Sequence, residues 1–191
     1  MVKKLNEFYK RLKMININNL LNFVKPYYES KDIMHNLSHI DRVLKYVEKL
    51  LKEGNYKADK DILMYSAYFH GFIYNSEQDI IDWLKTQQVS ITMIEKIIDV
   101  AWESQKDKMA TTLEGKILHD AHMIEGGKTY LIVKSLITGS IRGQTLEQTI
   151  KYMEDNLLGK GVCYLPEAQT IYFQQQEFAR SFIYDLNEGL K

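Results

Sequence analysis

The chain has 191 residues, in which 25 Lys and Arg balance 25 Asp and Glu, 45% of residues are hydrophobic and cysteine occurs once. At this length one core is the default, and a fold burying roughly 70% of its unfolded surface needs neither disulfides nor structural metal. The zero formal charge argues against a nucleic-acid polymer as partner, lone Cys163 cannot form an internal bridge, and no run reaches the ~18 apolar residues of a membrane span.

The first 23 residues lack an unbroken apolar stretch and a small-residue cleavage site, so no leader is expected, and with Cys163 unpaired the expected setting is cytoplasmic. Pro26 and Pro166 are the only prolines, and apolar residues recur between them at three- and four-residue intervals, the period of helices. Ile40, Val43, Leu44, Val47, Leu50 and Leu51 form one stripe that stops near Gly54-Asn55. Further helices are predicted over 62–70, 78–86, 91–102, 113–123, 146–158 and 166–186. Thr111 with Glu114, and Thr145 with Gln148, fit the capping box, and Pro166 suits a first helical turn. The apolar run from Tyr130 to Val133 is extended only in isolation, because its surroundings suit a helix better. With no repeat and no Gly/Ser linker, the expected fold is all-α: one domain over 1–191 with about nine helices.

The histidines stand at 35, 39, 70, 119 and 122. His35 and His39 share a face if their helix begins at or before His35; if Ser38 caps it, His35 lies in the preceding loop. His70 closes the apolar run Tyr65-Ser66-Ala67-Tyr68-Phe69, where a polar ring needs a partner or a metal. Asp120 follows an apolar pair, and a buried carboxylate there calls for a cation. On a regular helix Asp120 and His122 point about 200° apart, so they do not share one ion. His119 and His122 lie on one face, which Lys116 equally allows to be solvated. For each histidine alone, a hydrogen-bonded imidazole is the simpler reading.

Taken together, these segments resemble the HD superfamily of metal-dependent phosphohydrolases. His35-Asn36-Leu37-Ser38-His39-Ile40-Asp41-Arg42-Val43 is similar to the family's H-x-x-x-H-x-x-R-V opening. Ala67-Tyr68-Phe69-His70-Gly71-Phe72-Ile73-Tyr74 is similar to its A-x-x-H-D-I-x-Y segment, and Ile117 to Glu125 resembles I-L-x-D-A-D-x-L-D. The likeness covers about 35–125, followed by carboxyl-terminal helices over 126–191. It implies an HD-type helical bundle with His39, His70 and Asp120 as metal ligands. Two positions depart: Gly71 stands where the family has the Asp of its eponymous dyad, and His122 replaces the second acidic residue of D-A-D.

The resemblance implies a divalent metal ion (manganese, magnesium, iron, nickel or zinc) and hydrolysis of a small phosphate-containing metabolite or nucleotide. Without the dyad Asp, one cation is expected rather than two. His35 is the candidate to move a proton to the leaving group, and Arg42 the candidate to hold substrate phosphate. Glu103 is the nearest thing to a replacement carboxylate. The alternative is a degenerate HD fold without metal or turnover that binds a ligand or a regulatory partner, its site remodelled around Gly71. Oxygen chemistry on iron is a third reading, against which loss of the bridging carboxylate counts.

Overall fold

The computed structural model describes residues 16–105 and 108–191; the leaderless amino terminus expected from the sequence falls largely within 1–15, outside the described residues. The described residues form nine α-helices and no strand: α1 (Ile17–Glu29), α2 (Leu37–Glu53), α3 (Lys60–Phe69), α4 (Ile73–Thr86), α5 (Ile91–Glu103), α6 (Leu113–Met123), α7 (Tyr130–Ile141), α8 (Leu146–Asn156) and α9 (Pro166–Gly189). None is long and apolar enough to cross a membrane.

Local chemistry accounts for the helix ends. Thr145 and Gln148 form the expected capping box at α8, and Pro166 occupies the first turn of α9. At α6 the cap is Thr112, whose hydroxyl accepts from Gly115 N, and not Thr111. Glu103 explains the shift. Its carboxylate accepts from the backbone N–H of both Thr111 (2.9 Å) and Thr112 (3.2 Å), tying the start of α6 to the end of α5. Glu103 therefore serves a helix junction and is not a replacement ligand. Asn36 caps α2, which places His35 in the loop before it.

Helix α3 is central. Every residue from Ile62 to Phe69 is buried, and the helix packs on α2, α5 and α6. Helix α1 closes over it through aromatic rings: Phe23 stacks on Trp83 at 4.6 Å between centroids, and Tyr27 on Phe72 at 4.0 Å. Much of the aromatic content thus serves packing. Ile132, Ile150, Met153, Ala179 and Ile183 make a second, smaller core between α7, α8 and the distal half of α9. The proximal half of α9 reaches the main core at Leu165 and Ala168, so α9 joins the two. Cys163 lies buried in the main core and burial pushes its thiol up to about 12, which leaves it protonated and unreactive.

Candidate metal centre

Three histidines converge where α2, α3 and α6 meet. The ligand atoms of His39, His70 and His122 lie within 4.8 Å of one another, an arrangement that could hold a metal ion. Ring centroids are 5.2 Å apart for His39–His70, 5.1 Å for His39–His122 and 5.2 Å for His70–His122, a nearly equilateral set. His39 and His70 are 3% and 5% exposed.

The neighbours of the rings fix which nitrogens face inward. His70 Nδ1 donates to the Ala67 carbonyl at 2.6 Å. His39 Nδ1 sits 2.9 Å from Glu125 Oε2, an oblique ion-pair contact more than an aligned hydrogen bond. In each ring Nδ1 carries the proton toward an oxygen, leaving a lone pair on Nε2. Those two Nε2 atoms face each other at 3.1 Å, close to the roughly 3.4 Å separating two nitrogens on a tetrahedral zinc. Two facing lone pairs repel unless a cation lies between them.

Electrostatics agrees with this assignment. Burial lowers the pKa of His39, brings His70 down to about 3, and with nearby Lys134 takes His122 well below its usual value. All three are neutral at pH 7, as metal ligation requires. Burial alone would raise Glu125, but His39, Lys134 and Arg42 together hold it at about 2, so it stays an anion beside the triad.

A stability prediction follows with definite sign. An unfolded histidine titrates near 6.5, and His70 only near 3, so between these values the unfolded chain binds more protons and stability falls as pH drops. His70 alone removes about 2 kcal/mol at pH 5 relative to pH 7. Urea denaturation of metal-free protein at the two pH values measures it, and equal midpoints would contradict the buried, neutral triad.

Asp120 does not join the triad, which corrects the ligand set expected from the motif. Asp120 is 0% exposed, and its Oδ2 accepts from Tyr164 N at 2.9 Å and Leu165 N at 2.7 Å, with Oδ1 3.0 Å from Tyr164 N. The cation that its burial seemed to demand is replaced by two backbone amides. Burial nevertheless outweighs them and raises its pKa. The third inward imidazole belongs to His122, on the opposite side of α6.

Arg42 also has a different place. Its Nε donates to Glu125 Oε1 at 2.6 Å, Nη1 to Ser38 Oγ at 2.9 Å and Nη2 to the Met34 carbonyl at 3.4 Å. Three of its five N–H donors are engaged within the protein, so Arg42 props Glu125 and through it His39. Lys134 Nζ reaches Glu125 Oε2 at 3.2 Å from the other side. Glu125 went unassigned in the sequence, although it lies three residues beyond His122 and matches the last acidic position of the motif.

His35 stands in the loop at the edge of the triad, its ring 6.2 Å from that of His39. Asp32 holds it, with Oδ1 and Oδ2 at 2.9 and 2.8 Å from Nδ1. His35 lines two cavities: an open trough of about 810 Å³ beside Lys31 and Ile137, and a deeper one of about 510 Å³ bordered by His122 and Lys134.

Gly71 is accounted for by Tyr28. A Cβ on Gly71 would stand 2.5 Å from Tyr28 Oη and 3.0 Å from two ring carbons. Tyr28 is buried and donates to the Tyr68 carbonyl at 2.8 Å, Lys31 donates to the Gly71 carbonyl, and Gln105 Nε2 donates to the His70 carbonyl at 2.9 Å. Side chains thus hold the carbonyls of Tyr68, His70 and Gly71 at the end of α3, and the space a dyad carboxylate needs belongs to tyrosine. Gly71→Ala is expected to lower stability by about 1–3 kcal/mol, read as a lower urea midpoint, because the anchored ring cannot yield freely.

No family model matches the sequence, and no curated protein matches it. Solved structures do. The Lin1889 protein of Listeria innocua aligns with a TM-score of 0.71 and 23% identity, over 92% of this chain and 98% of that one. A protein of Lactobacillus plantarum aligns with a TM-score of 0.77 and 15% identity, over 93% and 98% of the two chains. Bacillus subtilis YpgQ, in a complex with ADP, aligns with a TM-score of 0.71 and 18% identity, over 88% and 96%. At these identities the likeness establishes the fold, which extends over nearly the whole chain.

Proposed function

We propose that this chain is an HD-type phosphohydrolase that uses one divalent cation, held by His39, His70 and His122, to hydrolyse a nucleotide or another small phosphate-containing metabolite. The observation that carries the reading is the convergence of three imidazoles, with the Nε2 atoms of His39 and His70 facing each other 3.1 Å apart beside His122. ADP in the YpgQ structure supports a phosphate-bearing ligand. Three neutral imidazoles suit zinc, iron or nickel better than magnesium, which prefers oxygen donors.

Bound there, a divalent cation supplies a water activated near neutral pH and offsets phosphoryl charge. The residues of the chain set the rest. Glu125 orients His39, held in turn by Arg42 and Lys134. Asp32 fixes the His35 ring so that its other nitrogen is left to hold or give a proton to the leaving oxygen.

Protein purified without a histidine tag should carry a transition metal and release phosphate from a panel of monoesters and diesters, with stimulation by added manganese. Absence of both metal and turnover removes the proposal. Tyr28 in the place of a dyad carboxylate favours one second reading, a metal-holding protein that binds a phosphate ligand without hydrolysing it. Metal and ligand binding with no turnover in that panel selects it.

A further inference from the structure

The deeper cavity lies between the two cores, with α6 and the main core on one side, α7 and α8 on the other, and Tyr172, Gln175 and Gln176 of proximal α9 in its wall. Its volume of about 510 Å³ is that of a metabolite site. Among the described residues Lys108, Lys134, Arg142 and Lys160 stand in its wall against one carboxylate, Glu125, although the chain as a whole is neutral. His122 of the triad borders it, so an anionic group at that end lies beside the metal centre.

The same wall contains a polar atom that an anion does not satisfy. His119, 8% exposed, has Nε2 3.1 Å from the Val162 carbonyl. A carbonyl only accepts, so Nε2 carries the proton and Nδ1 only accepts. That Nδ1 is buried without a hydrogen-bond partner, as is Thr138 Oγ1 on α7. An unpaired buried acceptor is unfavourable, and an ionised phosphate has no proton to give it.

We propose that His119 and Thr138 recognise the organic body of a phosphate ester, with His119 Nδ1 accepting from an O–H or N–H donor on that body, a sugar hydroxyl or a base amino group. The proposal rests on the phosphohydrolase reading for its choice of ligand class. The cationic wall and metal triad take the phosphates, and His119 on α6 with Thr138 on α7 takes the body. Both residues are specificity determinants and touch no reacting atom.

The test is calorimetric titration of manganese-loaded protein with three probes whose phosphorus bridge is stable: α,β-methylene ADP, α,β-methylene IDP and methylenediphosphonate. His119→Gln keeps an amide donor for the Val162 carbonyl and leaves no acceptor at the Nδ1 position, its own oxygen lying elsewhere; Thr138→Val removes the hydroxyl at constant shape. Each variant should bind α,β-methylene ADP about 5–10-fold more weakly than the parent and bind methylenediphosphonate equally. An equal loss for the inosine analogue places the donor on the ribose, and a loss confined to the adenosine analogue places it on the base amino group. Unchanged affinity in both variants, or an equal loss for methylenediphosphonate, overturns the proposal. Metal content and turnover of the parent judge the phosphohydrolase reading separately.

Discussion

His122→Ala is expected to reduce affinity for a divalent cation by at least about 100-fold, measured by competition with a chromogenic chelator. Loss of a residue that merely orients a ligand costs 10–100-fold, and His122 supplies one of only three converging nitrogens. The remaining pair offers only two neutral donors, so water does not restore a comparable site. The same measurement on Asp120→Asn should return nearly the parental affinity. Reversed results would reinstate the ligand set expected from the motif and place Asp120 at the metal.

The second large effect concerns Asp120 as a structural anchor. Asp120→Ala should lower stability by about 3 kcal/mol, since it strands two backbone N–H groups, each costing roughly 1–3 kcal/mol when unpaired. That is a large share of the 5–15 kcal/mol typical of a domain. Asp120→Asn should cost less, because Oδ2 alone lies within bonding distance of both Tyr164 N and Leu165 N, so one amide oxygen can keep both contacts. Urea denaturation with and without saturating metal separates this role from ligation: the deficit should be the same in both. A deficit that vanished without metal would assign Asp120 to the cation.

Much of the architecture was legible because it depends on neighbours in sequence. Apolar spacing marked α2, and Thr145 with Gln148 marked the start of α8. Two of three triad members, His39 and His70, were also legible, through the likeness to the HD motif. Choosing between Asp120 and His122 was not. The arithmetic of the helix said that only one faces the other histidines, but the deciding contacts join Asp120 to residues 44 and 45 positions away. No local pattern encodes such a contact. The tie of Arg42 to Glu125 was hidden for a similar reason, since the two are 83 residues apart. Gly71 was visible as a departure, whereas the tyrosine that fills its space, more than 40 residues earlier, was not.

The three carbonyl braces at the end of α3 bear on how metal capture couples to folding. His70 is held by its own ring contact with Ala67, and the turn around it by Tyr28, Lys31 and Gln105. A zinc finger acquires its fold from the metal; this site is assembled beforehand, so the cation completes it without organising it. Chelation should leave the far-ultraviolet circular dichroism unchanged while lowering the melting temperature, and reloading should be as fast as diffusion and ligand exchange permit, with no slow refolding phase.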